Sequence, residues 1–230
     1  MDSSPSAKYH LLTVAKRPQP GKTKTRLCPP LNAAQAASLY EAFLLDTLDL
    51  MRQVPAVQRT LAFLPAEAYG YFASLAPDMD LVTQRGASLG ERLDAMLRHA
   101  LAEGAAKAVV MNSDSPTLPA AYLVQAFQAL DTADVVLGPA DDGGYYLVGV
   151  KKPQPGLLRP VQMSTPQVLH DTLDLAQAAG LSAALLPPWF DIDAPQDLER
   201  LRCELLASEG SPAAHTRRWF QESDPIPSHN

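Results

Sequence analysis

At residues 107–119 the chain passes from a short apolar, β-branched run, Lys-Ala-Val-Val-Met, into a polar turn, Asn-Ser-Asp-Ser-Pro-Thr-Leu-Pro. A run this short, with Gly104 behind it and Pro116 and Pro119 ahead, reads as a buried strand. Asp114 therefore stands just past the carboxyl end of a buried strand, which is where open α/β sheets bind their ligands. Two roles are open to it: metal ligand, or cap of the turn before the helix that opens near Pro119.

The chain has 230 residues, enough for one large α/β domain, placed at 1–208 with a polar tail at 209–230. Hydrophobic residues at 47% and charged residues at 19% supply an ordinary globular core. A formal net charge of -6 argues against a generic nucleic-acid or anionic-membrane binder. Cys28 and Cys203 are far apart and lack metal-ligand spacing, so free thiols in a reducing compartment are expected. No apolar run approaches the ~20 residues of a membrane span, and residues 1–8 lack the basic-then-apolar order of a secretory signal, so a cytoplasmic protein is expected.

A strand at 10–15 runs straight into Lys-Arg-Pro-Gln-Pro-Gly-Lys-Thr-Lys-Thr-Arg-Leu, residues 16–27. This loop holds Lys16, Arg17, Lys22, Lys24 and Arg26 with no acid among them. A basic, proline- and glycine-containing loop between a strand and a helix is how α/β proteins present N–H groups and cations to phosphates; a solvated surface loop is the alternative. It is not a Walker A motif, because the earlier glycine is absent at the required spacing. Asn32 caps a long helix expected over 33–53. A strand at 60–64, a short helix at 67–75 and an extended edge at 80–83 follow, none with evident chemistry.

Gln-Arg-Gly-Ala-Ser-Leu-Gly-Glu-Arg-Leu at 84–93 sets Gly86, Ser88 and Gly90 before an amphipathic helix reaching about 103. Such a loop either lets a ligand lie on bare backbone or merely shapes the helix entry. Beyond a helix at 120–130, a strand at 134–137 leads into Gly-Pro-Ala-Asp-Asp-Gly-Gly-Tyr-Tyr-Leu-Val-Gly-Val, residues 138–150. The Asp-Gly step suits a tight hairpin, yet the adjacent Asp141 and Asp142 repel each other unless a cation is near. A proline-rich crossing at 151–160 precedes Ser164-Thr165-Pro166, read as a capped helix start, and 181–186 is expected as a last core strand. Asp191 and Asp193 then share one side of an extended segment, and Pro195 opens a helix to about 208. Asp193 could instead serve only the helix dipole, worth perhaps ~0.5 kcal/mol.

Together the strand ends carry a basic loop, a glycine loop and carboxylates at Asp114, Asp141, Asp142, Asp191 and Asp193. Cations beside acids make most sense with a polyphosphate and a divalent ion between them, and hard oxygen ligands favour Mg2+ or Mn2+. The five histidines are scattered, and neither a zinc spacing nor a Gly-x-Ser-x-Gly elbow occurs.

Residues 15–27, 84–93, 112–119, 138–149 and 191–198 resemble the successive motifs of a bacterial glycosyltransferase-A-like family, whose members are often labelled glycosyltransferases and include some tied to arsenosugar biosynthesis. That family is similar in turn to 2-phospholactate and molybdenum-cofactor guanylyltransferases. The resemblance implies a nucleotide-diphospho-sugar transferase fold, a three-layer α/β/α domain with a mixed, mainly parallel sheet. It implies that Lys22, Lys24 and Arg26, with Lys16 and Gly21 beside them, hold nucleotide phosphates, and that Gly86, Leu89 and Gly90 lie against the base or ribose. Asp114 and Asp193 become a metal pair with Asp191 as a further candidate, Lys24, Arg26 and Asp114 the catalytic group, and Asp141, Asp142, Gly143, Gly144 and Tyr145 the acceptor or sugar side. Two positions depart from the pattern: Met163 replaces a frequent tryptophan, and Ala194 stands where a threonine cap is usual, at a cost of ~1 kcal/mol.

Three functions follow. The first is glycosyl transfer from a nucleotide-activated sugar to a small acceptor. The second is nucleotidyl transfer from a nucleoside triphosphate to a phosphorylated small molecule, with release of pyrophosphate. The third is nucleotide binding without catalysis. The sequence carries no signal of oligomeric state.

Overall fold

The computed structural model describes residues 9–207 and 213–223. Residues 1–8, 208–212 and 224–230 lie outside the described residues, and with them the expected helix end at about 208 and parts of the expected tail.

Seven strands form one sheet in the order β3-β2-β1-β4-β6-β5-β7. They are β1 (Tyr9–Lys16), β2 (Val57–Leu64), β3 (Asp80–Thr83), β4 (Lys107–Met111), β5 (Val135–Pro139), β6 (Tyr145–Val150) and β7 (Ala183–Leu185). All neighbours are parallel except β6, which runs antiparallel to both β4 and β5. The reversal lets a hairpin turn, 140–144, emerge at the edge of the sheet where β1 and β4 end.

Successive side chains of a strand point to opposite faces, and the core divides accordingly. Leu11, Leu61, Val109 and Val136 pack with α1 (Ala33–Gln53), α2 (Tyr69–Leu75) and α4 (Ala120–Ala129). Leu12, Ala62, Val110, Leu137 and Val148 pack with α3 (Leu89–Ala102), α5 (Pro155–Leu158) and α6 (Val168–Ala178). The result is a three-layer α/β/α domain. Leu11 and Val109 are fully buried, and removing such a side chain costs ~2–5 kcal/mol.

A third cluster lies beyond α1, where Leu39 and Phe43 meet Phe190, Ile192, α7 (Pro195–Ala207) and Trp219 of α8 (Ala214–Ser223). So part of the expected tail, 214–223, is a helix docked on the body. Asp46 of α1 receives its first amides: Oδ1 accepts from His215 N (2.9 Å), and Oδ2 accepts from Thr216 N (2.8 Å) and Thr216 Oγ1 (2.6 Å). No helix among the described residues is long and apolar enough to cross a membrane.

Local chemistry sets the helix starts. Asn32 and Gln35 form a reciprocal capping box on α1, and Ser88 Oγ accepts from Glu91 N at 3.1 Å on α3. At α7, which lacks a threonine, Asp197 Oδ2 reaches back to Asp193 N (2.9 Å) and Ala194 N (2.7 Å), so the missing cap is replaced from within the helix.

Three elements differ from expectation. The last strand is three residues long at the sheet edge, with Leu185 53% exposed; with no strand beyond it among the described residues, it is an edge strand and not a core strand. Helix α6 begins at Val168 and not at Pro166, because Ser164 turns left-handed (φ 64) and Thr165 Oγ1 donates to Gln162 O (3.2 Å), curling 162–167 into turns. The crossing at 151–160 contains the helical turn α5.

Candidate active site

Lys24 sits where the loop after β1 turns left-handed (φ 50, ψ 38), directly before the short helical turn Thr25–Leu27. Non-glycine residues rarely adopt this conformation, and here it is held by the neighbouring turn, in which Lys22 N and Thr23 N both donate to Gln19 O (3.1 Å). The turn aims the Lys24 ammonium inward, where Nζ lies 2.7 Å from Asp114 Oδ1, 2.7 Å from Asp193 Oδ1 and 2.7 Å from Ile192 O. Its side chain is 8% exposed. Burial alone would lower its pKa, but the Asp114 and Asp193 carboxylates outweigh this and hold it above the ordinary lysine value.

The two acids arrive from different elements. Asp114 follows β4, and Asp193 precedes α7; the segments are joined by Ile192 N donating to Asp114 O at 3.0 Å. Asp191 is tied to the same turn, its Oδ1 accepting from Asn112 Nδ2 (2.8 Å) and Ser115 Oγ (2.5 Å). Burial pushes its carboxyl up to about 6, the Asp114 charge adding to the rise and those hydrogen bonds opposing it. Beneath them Ser113 Oγ donates to Val14 O (2.9 Å) and meets Tyr40 Oη at 2.9 Å, while Tyr40 Oη accepts from Lys16 N at 3.2 Å. Burial and then the Asp114 charge push the Tyr40 phenol up to about 12.

Two cavities adjoin at this acid pair. The first, about 430 Å3, is lined by Lys16, Lys22, Lys24, Arg26, Leu89 and Arg92, together with Tyr40, Asp114 and Asp193. The second, about 210 Å3, is lined by Asp114, Asp142, Gly144, Tyr145, Asp191 and Asp193, with Leu93, Val110, Val148, Met163, Ser164 and Thr165. The spatial arrangement thus gathers the basic loop, Leu89, four of the five acids, Gly144 and Tyr145.

Gly21, Gly86, Gly90, Asp141 and Gly143 line neither cavity. Asp141 pairs with Arg200, whose guanidinium stacks 3.9 Å from the centre of the Phe190 ring, and Asp142 Oδ1 accepts from Gly144 N at 2.8 Å. The expected repulsion between these acids is relieved by the chain itself. Gly90 makes room for the crossing and Gly143 for the turn before α6: a Cβ at Gly90 would lie 2.2 Å from Leu158 O, and one at Gly143 (φ 88) would lie 2.1 Å from Pro166 O. Arg17 lies over the Tyr71 ring and lines neither cavity.

Arg92, Tyr40, Asn112 and Ser164 also line the site and carry no obvious signal in the sequence. Arg92 has a faint one: it falls one turn after Leu89, on the face of α3 that points at the strand ends. Its Nε is buried and has no hydrogen-bond partner among the described residues.

The family model described as an uncharacterized protein conserved in bacteria, DUF2064, matches residues 47–165, more than half of the chain. The 3-phospho-D-glycerate guanylyltransferase of Phenylobacterium zucineum (strain HLK1) is 33% identical over 189 residues, covering 76% of this chain and 81% of that protein. The chain belongs to the DUF2064 family. A provisionally assigned nucleotide-diphospho-sugar transferase from Desulfovibrio desulfuricans G20 superposes on the DUF2064 chain with a TM-score of 0.89 and 30% identity, covering 95% of this chain and 96% of the other. The 4-diphosphocytidyl-2C-methyl-D-erythritol synthase of Anaerococcus prevotii DSM 20548, at 10% identity and a TM-score of 0.56, covers 86% of this chain and 97% of its own and shares the fold. The DUF2064 chain is a transferase with the nucleotide-diphospho-sugar transferase fold, in accord with the resemblance drawn from its motifs.

Proposed function

We propose that the protein is a metal-dependent nucleotidyltransferase. A phosphate oxygen of a small phosphorylated acceptor attacks the α-phosphorus of a nucleoside triphosphate. The bond from that phosphorus to the bridging oxygen breaks, its electron pair leaves with pyrophosphate, and a new phosphoanhydride joins nucleotide to acceptor. The observation that carries this reading is the charge of the first cavity: Lys16, Lys22, Lys24, Arg26 and Arg92 line one space, a set suited to a triphosphate. The guanylyltransferase relative supports it and reverses the order in which the motifs alone rank the two transfers. A phosphate nucleophile, with a second pKa of ~6, is already ionised at neutral pH and needs no base, which accords with linings that contain no histidine.

Asp114 and Asp193 fit a divalent ion. Each turns one oxygen toward a single point, now taken by the Lys24 ammonium, and magnesium is commonly held by one or two carboxylates with substrate phosphates completing its shell. No three His, Cys, Asp or Glu converge among the described residues, so the protein supplies only part of such a shell. When bound, Mg2+ or Mn2+ would neutralise phosphate charge and favour departure of pyrophosphate. In the same complex Lys24 would exchange its carboxylates for phosphate oxygens, Lys16, Lys22, Arg26 and Arg92 would orient the triphosphate, and Leu89 would pack against the nucleoside.

Glycosyl transfer is the second reading, supported by the name of the Desulfovibrio relative and by Asp191, whose raised pKa suits proton removal from an acceptor hydroxyl. Incubation with MgCl2, each nucleoside triphosphate and a panel of phosphorylated acceptors separates the two. Pyrophosphate release that Asp114→Asn abolishes supports nucleotidyl transfer; nucleoside diphosphate release from nucleotide sugars, without pyrophosphate from triphosphates, overturns it.

A further inference from the structure

The second cavity is chemically unlike a site for a carboxylic acid. Four carboxylates line it, Asp114, Asp142, Asp191 and Asp193, and no lysine, arginine or histidine does. Lys24 offsets the Asp114–Asp193 pair at the border with the first cavity, leaving Asp142 and Asp191 to face the space without a cation. Each of those two has one oxygen engaged by the chain, Asp142 by Gly144 N and Asp191 by Asn112 and Ser115, and retains the other as an acceptor. Ionised carboxylates only accept hydrogen bonds, so they recognise donors such as hydroxyl groups and repel another anion.

The rest of the wall suits a sugar-like body. Leu93, Val110, Val148 and Met163 supply an apolar floor, and the Tyr145 hydroxyl, which also interacts with the Thr172 side chain, spends its proton on a long contact to Met163 Sδ (3.8 Å) that a ligand oxygen can replace. At about 210 Å3 the space is below the ~300–1,000 Å3 typical of drug-sized ligand pockets, so the occupant is small.

We infer that the acceptor is a phosphomonoester with an uncharged polyhydroxy body, a polyol or sugar phosphate, and that the second cavity discriminates against phosphorylated carboxylic acids, the class named in the guanylyltransferase relative. The acceptor's phosphate lies at the border, toward Lys24 and Arg26, and its body lies over the apolar floor. The inference rests on the nucleotidyl-transfer reading for the phosphate; the selection of the body rests on the cavity alone.

A matched pair tests it: glycerol 3-phosphate and 3-phosphoglycerate share a skeleton and differ in a terminal hydroxymethyl against a carboxylate. Calorimetric titration of the full chain, with Mg2+ and a non-hydrolysable triphosphate analogue present, is expected to show the neutral-bodied member binding tighter by on the order of 100-fold. Asp142→Asn keeps the oxygen that accepts from Gly144 N while losing the charge, and is expected to narrow the gap about tenfold. Because that variant could fold poorly, the wild-type gap is also followed against ionic strength, where it is expected to shrink as salt rises. Equal or tighter binding of 3-phosphoglycerate overturns the inference, as does binding of neither compound or a gap that responds to neither charge removal nor salt. Discrimination as expected, with no pyrophosphate formed from any triphosphate, would leave the inference standing and remove the catalytic reading instead.

Discussion

The two cavities share Val14, Leu89, Asn112, Asp114, Ser164 and Asp193, yet one is lined by five cations and the other by four acids. The difference follows from where each wall originates. The first is built from the loop after β1 and the opening turn of α3, at the ends of the parallel part of the sheet. The second is built from β6, the strand that runs the other way, and from the turns at 163–165 that cover it. A parallel sheet supplies strand-end loops for phosphates; the reversed strand adds half-buried Tyr145 and buried Tyr146, Leu147 and Val148 beside them. Lys24 stands at the seam: it lines only the first cavity, but its ammonium holds Asp114 and Asp193, the two acids that both cavities share.

Removing that seam has the largest expected effect. Lys24→Ala should lower pyrophosphate-forming turnover by on the order of 10^3-fold, since it deletes a cation at the transferred phosphate. It should also let the Asp114–Asp193 pair accept a metal before nucleotide arrives, so that MgCl2 raises the melting temperature of the variant and not of the wild type. A variant within a few-fold of wild-type turnover would show that the seam is structural only.

A matched pair of variants then asks whether the cavities act separately. Arg92→Ala should raise the nucleotide KM about tenfold and leave the acceptor KM in place, by loss of one charge-assisted phosphate contact. Gly143→Ala forces a Cβ onto Pro166 O at a left-handed position, costs ~1–3 kcal/mol, and should raise the acceptor KM without moving that of the nucleotide. If each variant moves both constants alike, the division into two sites fails.

The smallest effect lies outside both cavities. Asp46→Ala should destabilise the protein by ~1–3 kcal/mol, through the amides of α8 left unpaired, with turnover unchanged. Burial holds the Asp46 carboxyl above its ordinary value, so the folded protein binds this proton more tightly than the unfolded chain. The stability that proton linkage contributes is complete below the unfolded pKa and is lost as pH rises through the raised folded value. Urea unfolding at a series of pH values should therefore show the gap between wild type and variant narrowing across that window.

Much of the frame was legible because it depends on local chemistry. Asn32 marks the start of α1, and the edge strand Asp80–Thr83 has the expected bounds. The exposed edge position of β7 is not legible in the sequence, because an apolar run does not say whether another strand will cover it. In the site, residue types and strand-end positions were enough to gather Lys24, Asp114 and Asp193. Their direct pairing was not legible, since it depends on a left-handed turn at a lysine, which no local pattern announces. Gly90 and Gly143 show the converse: a bare backbone position that reads as a place for a ligand is filled by the chain's own carbonyls, from a segment tens of positions away or across a turn. Arg92 is inconspicuous in the sequence because a polar residue in the first turn of a helix is ordinary until the fold shows what it faces.

The tether at the root of the basic loop sets what can move. Tyr40 Oη grips the Lys16 amide and Leu64 O holds the Arg17 amide, while the following Pro18 has no N–H to fasten. From Gln19 to Thr23 the loop is closed on itself, and Thr23 Oγ1 donates back to Arg17 O at 3.4 Å, so Lys22 rides on a turn tied down on both sides of Pro18 while Lys24 is pinned by Asp114, Asp193 and Ile192 O. A triphosphate would then meet cations already in place, the ordering of this loop having been spent in folding and not in binding.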